Sequence, residues 1–443
     1  MRILVTGQCT VHWGRLEYGN IGNYYITETL FRELHRVFPG AEVVTTFQMT
    51  EGFCRAERVS CLPMELFYSW SEEDLPRALE ELGVANIYAT TGRLVKTTPF
   101  IEEVLKSDLV IDFSGEMWGD HAEPVGENRF LVGLIKDRVA QLLGKPVVLL
   151  AGSQGPFNDA GTKPFAQEVF RNFRLVLNRE AASEELLRRE GFDVSRVGNY
   201  TCPAFLFEGR SDAEMAEALA REGIGGGRPS VGFCLCGFNM LEGPYDKAPR
   251  RDEEFTQFAE AVEFIVNDLG ARVFLMSHQN GFERDPEFKL INGRDYPYAT
   301  QLHEVVARRG KVPMSEVVCL RGPHGPAETK AIIRQFDMFV SGRIHAFVAA
   351  VSQNVPTVII TRGHGGVSHR NLGFARAVGL ETLVSDPASA DDMKAKIAEC
   401  WARREELRAR LAERMPAVLR QAHDCFDRLR EIFEPAAAAA GGR

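Results

Sequence analysis

The 443-residue chain lacks any apolar run near the ~20 residues that cross a bilayer. Its opening, Met1-Arg2-Ile3-Leu4-Val5-Thr6-Gly7, reads as a strand entering a glycine turn. That apolar stretch is too short for a signal peptide, and no cleavage region follows it. Positive charge is not in excess either: 52 basic residues against 61 acidic give a net charge of −9. This removes any bulk electrostatic case for nucleic acid and leaves room only for a local basic pocket. The nine cysteines are an odd number, scattered without disulfide-like spacing, which predicts reduced thiols in a cytoplasmic protein. Cys234 and Cys236 sit in a run that reads as a buried parallel strand, where thiols act as small hydrophobes. Also absent are a Gly-x-Ser-x-Gly elbow, a Walker loop, a His-Glu-x-x-His helix and the kinase motifs.

What remains is an alternation of short apolar runs with longer helix-like stretches, the pattern of parallel sheets flanked by helices. Strands are predicted at 2–6, 42–46, 108–113, 146–151 and 174–178, with helices near 22–37, 74–83, 128–143, 181–190 and 211–221. A glycine-rich break, Gly223-Ile224-Gly225-Gly226-Gly227-Arg228-Pro229, precedes a second series. Its strands are 230–236, 272–276, 316–320, 337–341 and 356–361; its helices are 252–268, 299–309, 326–335, 344–353 and 388–432. The expected fold is α/β, two Rossmann-like lobes at 1–222 and 229–387 joined by a hinge near 222–229. Helices at 388–434 are expected to brace them, with a disordered tail over 435–443.

The loops after predicted strands carry the chemistry-bearing residues. Ser341-Gly342-Arg343-Ile344-His345-Ala346 joins a strand to a helix. Free amides and a helix dipole there suit an anion, an arginine can grip it bidentately, and a histidine can move a proton. An ordinary corner with a surface arginine and a packed histidine fits equally well. Gly19-Asn20-Ile21-Gly22-Asn23 lacks the dinucleotide spacing and reads as close approach to a ligand or as a plain turn with Asn23 as cap. After the strand 108–113, Glu116, Asp120 and His121 offer acid/base groups or a polar surface loop. Ser153 and Gln154 lie in a glycine turn, and Arg179 ends another strand before a helix. His364 and His369 fall in a glycine-rich loop with Arg362 and Arg370. They lack a third ligand at recognisable spacing, so no metal site is expected.

Taken in order, these motifs resemble the polysaccharide pyruvyl transferase family. The matching segments are 19–23, Ser153-Gln154-Gly155-Pro156-Phe157, Arg179-Glu180-Ala181-Ala182-Ser183, Pro203-Ala204-Phe205, Arg343-Ile344-His345 and Asn354-Val355-Pro356. They span about 15–375. The resemblance implies a GT-B-like fold with a cleft between two lobes, the first meeting the acceptor and the second the donor. It also implies transfer of the enolpyruvyl unit of phosphoenolpyruvate to two hydroxyls of a saccharide, giving a pyruvate ketal and phosphate. Arg179, Arg343 and His345 would hold phosphoenolpyruvate, with His345 also the general acid. Glu116 is a second catalytic candidate, and Asn20, Ser153, Gln154, His364 and His369 are candidates for substrate contact. No cofactor is implied beyond phosphoenolpyruvate as donor substrate, and the partners are that donor and a saccharide acceptor. Association with membrane-linked glycans would be peripheral.

Four positions depart from the family pattern: Asn23 in place of aspartate, Ser114-Gly115-Glu116 in place of a glycine triplet, Cys202 in place of aspartate, and the loop after Pro356. An unusual acceptor or altered chemistry would account for them. Two other readings stand beside the first: a GT-B glycosyltransferase using a nucleotide sugar, and a non-catalytic relative that binds an anion.

Overall fold

A computed structural model describes residues 1–8, 15–245, 247–284, 286–362 and 368–433. The chain divides into two compact units. Unit 1 comprises the described residues of Met1–Trp13, Glu28–Pro203 and Arg420–Arg443. Its sheet has seven parallel strands: β1 (Arg2–Thr6), β2 (Glu42–Thr45), β3 (Val59–Cys61), β4 (Leu109–Asp112), β5 (Val147–Gly152), β6 (Leu175–Asn178) and β7 (Val197–Asn199). Their order is β3-β2-β1-β4-β5-β6-β7. All six residues of β5, Val-Val-Leu-Leu-Ala-Gly, are buried, as expected of a strand covered on both faces. The order reverses between β1 and β4, so the carboxyl ends of these two strands are where a ligand crevice forms in such sheets.

Unit 2 comprises the described residues of Gly14–Thr27 and Ala204–Leu419. Its strands are β8 (Ser230–Cys234), β9 (Arg272–Met276), β10 (Asn280–Glu283), β11 (Lys289–Asn292), β12 (Val317–Cys319), β13 (Met338–Ser341), β14 (Thr357–Ile360) and β15 (Val384–Ser385). The main sheet runs β12-β9-β8-β13-β14-β15, parallel throughout, while β10 and β11 form a separate antiparallel hairpin. Here the order reverses between β8 and β13, the strand that delivers Arg343.

The boundaries differ from the expected ones in two ways. The chain enters unit 2 at Ala204, not at the glycine-rich break. Helix Asp212–Arg221 is fixed within unit 2, because Asp212 accepts from Arg334 at 2.7 Å and from Gln335 at 2.8 Å. Glu222 then accepts from the backbone of Arg321 and Gly322 and pairs with His324 at 3.0 Å. The stretch 222–229 is therefore a turn inside unit 2 rather than a hinge. Likewise 15–27 lies with unit 2, so the Gly19–Asn23 motif does not belong with β1. The expected single C-terminal run is two helices, Ala390–Ala402 and Arg404–Asp427. The second begins in unit 2 and ends in unit 1, where Asp427 pairs with Arg36 and His423 with Glu33.

Candidate active site

In unit 1 the sequence-predicted residues collect at the carboxyl ends of β4, β5 and β6. The 114–120 loop is not a solvated surface loop, because Trp118 is fully buried. Its ring sits among Phe130, Phe157, Phe170, Phe173 and Phe192, with centroids 5.5–6.3 Å away. Backbone bonds lace this loop to the next one: Ser153 N to Gly115 O at 3.2 Å, Gly155 N to Trp118 O at 3.0 Å, Asp120 N to Pro156 O at 2.9 Å. A Cβ on Gly119 would stand 2.7 Å from Gly155 Cα, so this contact requires glycine. Asp120 accepts from the backbone of Asn158, which makes it a turn cap. His121 is half-buried beside it.

Arg179 follows β6 and is buried. Its Nε donates to Ser153 Oγ at 2.9 Å, and Ser153 Oγ donates to Glu180 Oε1 at 3.1 Å. Glu180 accepts in turn from Ser183 N at 3.0 Å at the start of helix Ala182–Arg189. Burial pushes the Glu180 carboxyl up to about 7, against the pull of these donors. A Cβ on Gly115 would lie 3.6 Å from Arg179 Nη1 and Nη2, so the Ser114-Gly115-Glu116 backbone stands against the guanidinium. Glu116 follows in a short 3₁₀ turn, half-buried. Gln154 is fully buried, and its Nε2 donates to Asn178 Oδ1 at 3.0 Å, which ties it to the end of β6.

Beneath this loop lies a pair the sequence reading missed. Asp112 and Asp137 are both fully buried, and Asp137 feels the charge of the Asp112 carboxylate. Burial pushes Asp112 up to about 6 and, with the neighbouring carboxylate, Asp137 well above its ordinary range. Asp112 Oδ1 accepts from Ser114 N at 2.7 Å and so fixes the start of the loop against Arg179.

In unit 2, Arg343 precedes helix Ile344–Val351 at the carboxyl end of β13. Its Nε and Nη2 grip both oxygens of Asp295, the latter at 2.6 Å. Asp295 is 1% exposed and also accepts from His278 N at 3.4 Å. Burial opposes the charge on Arg343, but Asp295 outweighs it and holds the guanidinium more firmly protonated. One edge of the planar fork is thus occupied; Nη1 and the outer hydrogen of Nη2 form the edge turned away from Asp295. His278 is fully buried, edge-on to Tyr25 at 5.5 Å, and burial, then the charge of Arg343, pushes its imidazole down to about 3.

His345 lies in the first turn of the same helix, half-buried, edge-on to Phe374 at 6.4 Å. The Gly19–Asn23 motif meets it: a Cβ on Gly22 would fall 2.6 Å from His345 Cβ and Nδ1. Helix Ile21–Val37 is capped by Asn20, not Asn23. Asn20 Oδ1 accepts from Gly22 N at 3.1 Å, and its carbonyl accepts from Asn23 N at 2.9 Å. Asn20 also bridges to Gln279, so it belongs with the Arg343 corner. Asn239, missed in the sequence, ties three strand ends together. Its Nδ2 donates to Gly342 O at 3.2 Å and Thr361 O at 3.1 Å, and its Oδ1 accepts from Cys236 N at 2.9 Å. Arg362 lies over the Phe238 ring at 5.0 Å, and Arg370 is buried, its pKa lowered to about 10 by that burial. His369 opens helix His369–Val378, while His364 lies outside the described residues.

Residues 20–364 match the polysaccharide pyruvyl transferase family. This chain belongs to it. A relative is the amylovoran biosynthesis protein AmsJ of Erwinia amylovora, 22% identical over 411 residues, 88% of this chain and 89% of that one. The fold is shared with a glycosyltransferase from Rickettsia africae (TM-score 0.58, 10% identity, 98% and 99% of the two chains). It is shared too with the UDP-GlcNAc 2-epimerase of Neisseria meningitidis (0.57, 9%, 98% and 99%) and Anabaena HepE bound to UDP (0.56, 13%, 98% and 99%). The protein is thus a transferase of polysaccharide biosynthesis built from two GT-B-like α/β units. Among the described residues no helix is long and apolar enough to cross a membrane. In this pyruvyl transferase Cys202, at the position where the resemblance led to an expectation of aspartate, is fully buried.

Proposed function

We propose that this enzyme moves the enolpyruvyl unit of phosphoenolpyruvate onto two hydroxyls of a saccharide, forming a pyruvate ketal and releasing phosphate. One acceptor hydroxyl adds at the central carbon as a proton reaches the vinyl carbon. The C–O bond to phosphate then breaks, and the second hydroxyl attacks the resulting oxocarbenium. One hydroxyl proton balances the new methyl group and the other leaves with phosphate. The observation that carries this reading is the pairing of Arg343, clamped by Asp295, with His345 two residues on. A fixed guanidinium edge suits phosphate or carboxylate, and an imidazole at hand suits delivery of the vinyl proton. Within unit 1, Arg179 is the further cation assigned to the donor and Glu116 the base for an acceptor hydroxyl. Asn20 is assigned to positioning beside His345, and His369 and His364 to substrate contact.

The test is phosphate release from phosphoenolpyruvate with saccharide acceptors, and nucleotide sugars as the control donors. Release that depends on acceptor and vanishes in Arg343→Ala supports the proposal. Consumption of a nucleotide sugar with phosphoenolpyruvate untouched would replace it with glycosyl transfer.

A further inference from the structure

The structure describes eight of the nine cysteines, none of them in a disulfide. Cys202, Cys234, Cys236, Cys400 and Cys425 are buried. Burial pushes the thiol of Cys236 up to about 11 and that of half-buried Cys319 to about 12, away from the reactive thiolate. Cys54 and Cys61 stand apart from these. Both are half-buried in unit 1, and their sulfurs are 3.4 Å apart.

Local structure explains the meeting. Cys54 is in the last turn of helix Glu51–Glu57, whose cap, Arg58, adopts the left-handed conformation at φ 53°, ψ 47°. Its N–H returns to Cys54 O, and the chain reverses directly into β3. Cys61 ends β3, the outermost strand of the sheet, in register with Thr45 of β2. Leu62 N donates to Thr45 O at 2.7 Å, and Gln48 Nε2 donates to Leu62 O at 2.8 Å, so the Cys61 end is held in place.

We propose that Cys54 and Cys61 are a reversible dithiol–disulfide pair, a modification site on the outer edge of the unit 1 sheet. The oxidant is a small-molecule disulfide of the glutathione class. One cysteine thiolate attacks a sulfur of oxidised glutathione, forming a mixed disulfide and releasing one reduced glutathione. The second thiolate attacks the protein sulfur of that mixed disulfide, closes the Cys54–Cys61 bond and releases the second. The protein loses two protons and two electrons, and both electrons are taken up by glutathione. From 3.4 Å the sulfurs need to close by about 1.4 Å to reach a bond of ~2.05 Å. The bond would join the end of the helix to the end of β3 and fix the segment 46–62 that leaves the carboxyl end of β2. Neither cysteine is assigned to the transfer reaction, so this inference stands or falls apart from the choice of donor.

The test uses the full chain in glutathione buffers poised from reducing to oxidising, quenched with acid, alkylated and digested for mass spectrometry. The expected product is a linked Cys54–Cys61 peptide pair lacking two hydrogens, restored by dithiothreitol. Cys54→Ser should then leave Cys61 as a thiol or a glutathione adduct. If wild-type Cys54 and Cys61 remain fully alkylated in the most oxidising buffer, or end as separate adducts, the proposal is overturned. That mapping on the wild type decides even if the variant fails to fold.

Discussion

Asp295 holds the guanidinium of Arg343 with both carboxylate oxygens, and it does so 48 residues upstream, at the start of a different helix. Arg343 is therefore a side chain fixed by its partner, with one edge spent and the other set in direction. Removing the charge by Asp295→Asn leaves a buried cation, a change that costs about 3–5 kcal/mol in comparable pairs. Urea unfolding should show that loss, together with a raised KM for phosphoenolpyruvate. The double variant Asp295→Ala/Arg343→Ala should lose less stability than the two single variants summed.

Gly22→Ala tests the contact between the N-terminal motif and the histidine. The new methyl would meet His345 at 2.6 Å and displace the ring, so kcat should fall by about 10²-fold or more while the fold persists. Gly83→Ala is the matched control. It lies inside helix Asp74–Thr91 with open space around it and should stabilise the protein by about 0.5–1 kcal/mol, with activity unchanged.

Glu180 sets a pH dependence of known sign. Its folded pKa is raised from 4.5 to about 7. Its contribution to stability is thus fully present below pH 4.5 and is lost as pH rises through 7. In Glu180→Gln that slope should vanish, so wild type should lose up to about 3 kcal/mol relative to the variant across this window. Paired chemical denaturation at steps between pH 4.5 and 7.5 measures it.

Glu116→Gln separates chemistry from donor binding. If Glu116 takes a proton from an acceptor hydroxyl, kcat should drop about 10²–10⁴-fold with KM for phosphoenolpyruvate unchanged. A shift in KM alone would assign Glu116 to binding.

Much of the frame is legible in the sequence because both sheets are buried on two faces. Runs such as Val147–Gly152 and Arg272–Met276 then stand out as apolar segments between helical stretches. Short edge strands, β3, β7 and β15, do not, since two or three residues carry no period. The unit boundary is not legible, because a glycine-rich turn looks like a linker, whereas Asp212 and Glu222 anchor the preceding segment through partners about 100 residues away. The strand-end arginines and His345 were legible from their place after apolar runs. Asp295, Asn239 and Asp137 were not, because their roles depend on contacts far along the chain and nothing local marks them.

The most direct test of the central claim is calorimetric titration of phosphoenolpyruvate into wild type, Arg343→Ala and Arg179→Ala, with a UDP-sugar as competitor. Saturable binding to wild type is the expected result, with loss in Arg343→Ala, weakening in Arg179→Ala and no competition. Absence of phosphoenolpyruvate binding in wild type, with saturable binding of the UDP-sugar, would contradict it.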